Sequence, residues 1–289
     1  MDNYDGSMAT LHPLPTLERR GDDEFQTALR RHAAELAEHE AGVRLGEVEE
    51  LHKQRVATRR LRSLLRSARP ALADPGDAEA LRQELRWFGG LLGEVRDRDV
   101  LIEYLLAELR SIEEAAAFGG VLELLDNERE AARAELLVAL DSNRYRELNR
   151  LLEDPPGLRD PGLFEAAAAD EYGRLRRAVK RLDADPPAED LHRVRIKVKR
   201  ARYAAEAIGG DTKFVARAKN VQDVLGEHQD ATLAETRIRE LVGRLRGTGR
   251  TALCAGRLIE RQRARRSAAR AAWPQAWKRL RRAGDRAWR

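Results

Sequence analysis

From Asp22 onward apolar residues recur at spacings of three and four with charged residues between them, and no segment alternates at a period of two. Such spacing marks helices that bury one stripe and solvate the rest. Clusters of Pro and Gly interrupt it at Pro70 to Gly76, Asp154 to Gly162, Asp185 to Pro187 and Gly209-Gly210, where the chain must turn. The pattern predicts helices over 22–41, 48–69, 77–92, 96–117, 119–150, 162–182, 188–208, 212–225, 229–246 and 250–270. Ala, Leu, Arg and Glu, all strong helix formers, dominate these segments, and aromatics make up only 5% of the chain. An all-β fold is excluded and the expected class is all-α.

Laid on itself, the sequence repeats. Leu51-His52-Lys53-Gln54-Arg55-Val56-Ala57-Thr58-Arg59-Arg60-Leu61-Arg62 is answered by Leu191-His192-Arg193-Val194-Arg195-Ile196-Lys197-Val198-Lys199-Arg200-Ala201-Arg202, an offset of 140 residues. A second pair follows in the same order, Leu92-Gly93-Glu94 with Asp97 and Leu225-Gly226-Glu227 with Asp230, at an offset of 133. Two ordered motifs imply an internal duplication. The seven residues lost between the motifs of the second copy match the Pro70-to-Gly76 turn of the first. The expected architecture is therefore two helical bundles related by a pseudo-two-fold axis, residues 21–157 and 158–289, in one compact unit. A flexible lead of residues 1–20 precedes them, and the boundary falls at the Pro-containing turns near Asp154 to Pro161.

On a helical wheel His52, Arg55, Arg59, Arg62, Arg66 and Arg69 fall within an arc of about 100°, opposite Ala57, Leu61, Leu64, Leu65 and Ala68. His192, Arg195, Lys199 and Arg202 take the same wheel positions in the second copy, opposed by Ala201, Ala204, Ala205 and Ile208. Cations at these spacings repel one another, and a solvated face normally mixes signs. Yet seven Lys or Arg lie between Leu51 and Arg69 and six between Leu191 and Tyr203, with no Asp or Glu in either stretch. Either carboxylates of neighbouring helices neutralise the stripes or an anionic ligand does. The Arg bias favours a ligand, because the planar guanidinium fork suits bidentate phosphate contact. At helical rise the stripe from His52 to Arg69 spans roughly 25 Å with a cation about every 5 Å, which suits a linear polyanion. Inorganic polyphosphate, nucleic acid and an acidic protein tail are the candidates, and two such helices would line a shared groove.

The net charge sharpens the point. The chain has 289 residues with 54 Lys or Arg and 49 Asp or Glu, a formal +5. The two stripes and residues 257–289 together carry +23, so the remainder sums to −18. Charge is segregated along the chain, with two unmixed basic stripes set in an acidic remainder. At 42% hydrophobic the chain can build a sizeable core. The single Cys254 excludes an internal disulfide and any multi-thiolate zinc site, and is expected as a small buried apolar residue. No apolar run approaches the roughly 20 residues of a membrane span, and Met1 to Leu17 has no basic leader, so a cytoplasmic protein without membrane contact is expected.

Other constellations add less. His52 and His192 lack a His-x-x-x-His partner, which argues against metal ligation. Glu94, Asp97, Asp99, Asp223, Glu227 and Asp230 are the candidates for holding Mg²⁺ in phosphoryl chemistry, but pairing with Arg side chains is the favoured role. Gly93 and Gly226 are expected at turns or close-packing positions. Gly247-Thr248-Gly249-Arg250-Thr251 lacks the Gly-Lys-Ser/Thr of a P-loop and is expected as a turn. Trp273 and Trp277 share one helix face, expected to anchor a terminal helix rather than to stack bases. No nucleophile elbow stands out, so a non-enzyme with no catalytic residue, no metal and no cofactor is expected.

The paired Leu-His-x-x-Arg-(Val/Ile)-x-x-(Arg/Lys)-Arg-x-Arg segments, each followed by Leu-Gly-Glu-x-x-Asp, resemble the CHAD domain, the conserved histidine α-helical domain, from about Asp22 to Arg289. The resemblance implies two pseudo-symmetric bundles with a basic central surface that binds inorganic polyphosphate without turning it over. It further implies targeting to polyphosphate granules, with polyphosphate-metabolising proteins as candidate partners. Nucleic-acid binding by the same surface and metal-dependent phosphate chemistry remain the alternatives. Carried over by position, the binding residues are His52, Arg55, Arg59, Arg60 and Arg62, with His192, Arg195, Lys199, Arg200 and Arg202; the wheel adds Arg66. Ala201 departs from the first copy, which has Leu61 there, a difference expected to affect packing. Some members carry a triphosphate-tunnel domain, for which this chain has no room, so a stand-alone member is expected.

Overall fold

Several helix starts follow local cap chemistry. In the computed structural model, which describes residues 17–245 and 248–288, the helices are α1 (Leu17–Glu38), α2 (Glu40–Leu45), α3 (Val48–Ala68), α4 (Pro75–Leu109), α5 (Gly119–Leu140), α6 (Asn143–Glu153), α7 (Pro161–Lys180), α8 (Ala188–Ala207), α9 (Thr212–Leu245) and α10 (Gly249–Ala287). The lead expected over residues 1–20 falls mostly outside the described residues, as does Gly247 of the expected turn. Asp74 and Asp160 each cap a helix that opens on Pro, at α4 and α7, where the missing N–H of Pro costs nothing. Ser142 accepts from the Tyr145 N–H and separates α5 from α6, which the periodicity alone ran together as 119–150. Thr248 caps α10 by accepting from the Thr251 N–H. The fold is all-α: no strand occurs among the described residues, and only an isolated bridge joins Leu72 to Leu158.

Two expected breaks are absent. The segments 77–92 and 96–117 merge through Gly93 into α4, which stops at Leu109 short of the expected 117, and 212–225 and 229–246 merge through Gly226 into α9. A helix-interior Gly costs about 1 kcal/mol relative to Ala, but burial outweighs that cost here. Leu85, Phe88, Leu92 and Val95 carry one buried stripe straight through Gly93. The seven-residue difference between the motif pairs is accommodated before α4. There the Ala73 N–H donates to the Gly157 carbonyl at 3.0 Å and the Arg159 N–H to the Ala71 carbonyl at 2.7 Å, pinning the extra turn to the segment between α6 and α7.

Apolar side chains collect in three clusters. The first unites α1, α3, the start of α4 and α6 around Phe25, Leu61, Phe88 and Leu148. The second unites α7, α8, the start of α9 and the end of α10 around Leu175, Val198, Phe214 and Leu280. In that cluster Trp273 is buried, with Trp277 and Trp288 packed beside it, so the C-terminal indoles anchor α10 on the core. The third cluster joins both halves of the chain. Leu105 of α4 and Leu125 of α5 meet Ile238 of α9 and Leu258 of α10, with Cys254 fully buried among them. The uninterrupted length of α4 carries it from the first cluster into the third, and that of α9 from the second into the third.

Candidate functional site

The apolar arc on α3 is buried as the wheel requires: Ala57, Leu61, Leu64, Leu65 and Ala68 are at most 5% exposed. Ala201, Ala204 and Ala205 of α8 are fully buried, and Ile208 just beyond its end is half-buried against the first cluster. Ala201 and Leu61 are both fully buried, so their difference is one of packing. With these arcs fixed inward, the cations lie on the flanks, and α3 and α8 pack directly on one another. Arg55 and Arg59 of α3 are close enough to Arg195 and Lys199 of α8 to repel both.

Counter-charges are few. Arg55 pairs with Asp97 at 3.0 Å, Arg60 approaches Glu35 of α1 at 3.8 Å, and Arg202 pairs with Glu206 at 3.3 Å. Asp230 supports the charge on Arg195 and Lys199. Arg59, Arg62, Arg66, Arg195, Lys199 and Arg200 form no ion pair among the described residues. The Nε atoms of Arg59, Arg62, Arg195 and Arg202 and Nδ1 of His192 are buried without a hydrogen-bond partner. Buried polar atoms are nearly always satisfied, so five orphaned side-chain nitrogens on the two matched helices are out of the ordinary.

The electrostatic consequence is largest at Lys199. Burial, then Arg195, Arg59 and Arg55, push its ammonium down to about 7. Burial and then Arg82, Arg86 and Arg66 lower the Arg62 guanidinium; burial and then Arg66 lower that of Arg200. His52 is held below 6.5 by burial first and by Arg96 second. In the free protein these groups strain against their own charge.

The second motif pair explains how the arginines lie so close to the neighbouring backbone. A Cβ on Gly93 would sit 3.6 Å from the nearest Arg55 guanidinium nitrogen, and one on Gly226 would sit 3.5 Å from that of Arg195. Each guanidinium packs against a helix at the residue without a side chain, which is the close-packing role rather than the turn. A methyl group fits at these distances and a branched chain does not. Gly93→Ala and Gly226→Ala are expected to stabilise the fold by about 0.5–1 kcal/mol each, whereas Gly226→Leu should displace Arg195. Thermal melts beside anion titrations check both halves of this expectation.

The remaining candidates are placed as follows. Arg60 turns toward α1, near Glu35 and His32, away from Arg55 and Arg59. Arg200 lies between Arg66 of α3 and Glu171 and Arg174 of α7. The acids are taken up in pairs: Glu94 with Arg98 at 2.8 Å, Glu227 with Arg265 at 2.6 Å and Asp223 with Lys219 at 3.0 Å. Asp99 is buried at a separate cavity of about 120 Å³, where burial raises its carboxyl. Among the described residues no three His, Cys, Asp or Glu side chains converge as a metal site would require.

The sequence reading missed Arg82, Arg86 and Arg96 of α4, which act on Arg62 and His52. Their signal was present. Arg82, Arg86, Gly89, Gly93 and Arg96 are spaced 4, 3, 4 and 3, so two cradle glycines and three cations share one face toward α3. A Cβ on Gly89 would meet Thr58 at 3.2 Å and Arg62 at 3.8 Å.

Comparison with known proteins places this geometry. An uncharacterized protein of Mycobacterium tuberculosis (strain H37Rv), Rv2226, is 31% identical over 241 residues, covering 76% of this chain, and its counterpart in strain CDC 1551 matches equally. The chain spans about half the length of these curated relatives, 46%. Among solved structures, PptA from Streptomyces chartreusis superposes with a TM-score of 0.76 at 26% identity, covering 89% of this chain and 99% of that one. The CHAD domain from the plant Ricinus communis gives 0.70 at 26% identity, covering 88% and 90%. The family model for the CHAD domain matches residues 27–239, which include both stripes together with Gly93 and Gly226. With that match and the shared all-α fold, the chain belongs to the CHAD domain family, one associated with polyphosphate binding and metabolism.

Proposed function

We propose that the chain binds inorganic polyphosphate without hydrolysing it, in the cleft where α3 and α8 bring their stripes together, and that this binding holds it at polyphosphate granules. The observation that carries the proposal is the set of buried, partnerless guanidinium nitrogens on Arg59, Arg62, Arg195 and Arg202, drawn from both helices. A chain of phosphates supplies acceptor oxygens at short repeat and charge for every cation, satisfying the orphans and relieving the repulsion together. Nucleic acid offers the same phosphates but also bases, which single-strand binders stack on aromatic side chains. No aromatic residue lies among the stripe residues 51–69, and Tyr203 at the end of the second is buried beneath the Arg202 guanidinium, 4.5 Å from its ring centre.

The test is a titration of the protein with long-chain polyphosphate and with RNA or DNA of matched charge, across ionic strengths and with Mg²⁺ or Mn²⁺ present. Polyphosphate affinity should fall linearly on a log–log plot against salt, as counterion release requires, and nucleic acid should displace it poorly. Equal displacement would favour the nucleic-acid alternative. Metal-dependent phosphate release would establish an enzyme.

A further inference from the structure

The two stripes do not end alike. In the second copy the position matching Arg66 is Glu206, which pairs with Arg202 at 3.3 Å, and the position matching Arg69 is Gly209. In the first copy the stripe runs on through Arg66 and Arg69 into a recess of about 330 Å³ between α3, α4 and α7. Its charged lining is Arg66, Arg69, Arg82 and Arg174 against Glu79 and Glu171. Glu79 chelates Arg82 through both carboxylate oxygens, and Glu171 approaches Arg174 at 3.3 Å, with Asp170 pairing the same Arg174 at 2.7 Å. Arg66 and Arg69 have no ion pair among the described residues. Arg200 of α8 joins them close by, near Arg66, Glu171 and Arg174.

A recess of this volume is in the range of small-ligand sites and far too short for a long polyanion. Arg66 and Arg69 carry the α3 stripe into its lining, so a chain following that stripe would reach it with its end. An interior phosphate of such a chain carries one negative charge, whereas a terminal phosphate, like a phosphomonoester, carries about −1.5 to −2 near pH 7 and presents three acceptor oxygens. Guanidiniums arriving from three helices suit that compact, more highly charged group.

Resting on the polyphosphate proposal above, we infer that the recess bounded by Arg66, Arg69, Arg82 and Arg174 binds the terminal phosphate of a polyphosphate chain, so that the protein recognises chain ends as well as chain bodies. The two ends of the cleft then differ in kind. One admits a running chain, and the other stops it at the recess. Short linear polyphosphates bind there as complete ligands.

Calorimetric titrations of the full chain with tripolyphosphate, with cyclic hexametaphosphate and with long-chain polyphosphate test this directly. The cyclic ligand carries more charge but has no terminal phosphate, so charge alone would favour it. End recognition predicts that tripolyphosphate binds at least tenfold more tightly than the cyclic ligand. The double variant Arg69→Gln/Arg174→Gln should erase that preference while long-chain affinity falls less. Both substitutions are at exposed positions, and a thermal melt verifies that the variant is folded. If long chains bind but tripolyphosphate binds no better than the cyclic ligand, or if the double variant keeps the preference, the end-binding inference is wrong and the cleft proposal stands. If long chains fail to bind the unaltered protein, both fall.

Discussion

Replacing Arg59, Arg62, Arg195 and Lys199 together by glutamine is expected to weaken long-chain polyphosphate binding by about three orders of magnitude while raising the melting temperature. The first figure follows from roughly 1 kcal/mol for each charge-assisted hydrogen bond to phosphate that the variant cannot make, with tenfold in affinity for every 1.4 kcal/mol. The slope of log affinity against log salt should flatten by about 3, on the value for a single-stranded polyanion. The second effect has the opposite sign because these four cations have no ion pair among the described residues: Arg59 repels Arg195 and Lys199 across the α3–α8 interface, and Arg62 is repelled by Arg82, Arg86 and Arg66. Removing their charge takes away a cost that the free protein carries for its ligand's sake. Glutamine keeps much of each stem in place, so the cleft is not emptied. Isothermal titration and a thermal melt on the same sample check the pair of outcomes. A folded quadruple variant that still binds long chains with unaltered affinity sinks the site assignment. One that binds weakly but melts lower would show that the four side chains are structural rather than held ready for an anion.

Lys199 gives the second large effect, in the pH dependence. Its ammonium is pushed down to about 7 in the free protein against an ordinary 10.5, so between those values the folded chain holds a neutral amine where the unfolded chain holds a cation. The unfolded state then binds more protons, and stability must rise as pH climbs from 7 toward 10.5. Binding runs the other way. A polyphosphate chain beside Lys199 restores its charge, so the complex takes up as much as one proton, and affinity should fall by up to tenfold per pH unit above 7. His52, held below 6.5, adds proton uptake on the acid side of that window. Lys199→Arg should bind with little pH dependence between 7 and 9, because a guanidinium stays charged throughout. Lys199→Met should bind weakly and lose the rise in stability. Titration in buffers of different ionisation enthalpy counts the protons. Affinity that stays flat from pH 7 to 9 in the unaltered protein would show that Lys199 lies outside the bound chain's reach.

These outcomes also separate what is local from what is assembled. The helical class, the stripes and their inward arcs are local properties of a 3.6-residue period, so they can be read from spacing alone. The motif glycines misled the boundary assignment because a glycine is judged locally as a helix breaker. In α4 and α9 it is the position over which Arg55 or Arg195 lies, where at most a methyl group fits. Arg60 and Arg62 are two residues apart in one motif, yet Arg60 faces Glu35 of α1 while Arg62 joins Arg66, Arg82 and Arg86. No motif records that division, since it depends on which helix packs on each flank.

By itself the sequence determined that the chain is all-α, that it repeats two motifs in order, and that unmixed cation stripes ride on helices whose other face is apolar, because periodicity and charge are written residue by residue. Only the tertiary structure decided that α3 and α8 meet so that Arg55 and Arg59 crowd Arg195 and Lys199, and that α4 supplies Arg82, Arg86 and Arg96. It also decided that one stripe ends in a recess while the other ends on Glu206. The physical reason is range. Helix formation is settled within a few turns, whereas the scarcity of counter-charge around Lys199 and the orphaned Arg nitrogens arise only when segments about 140 residues apart exclude water from each other.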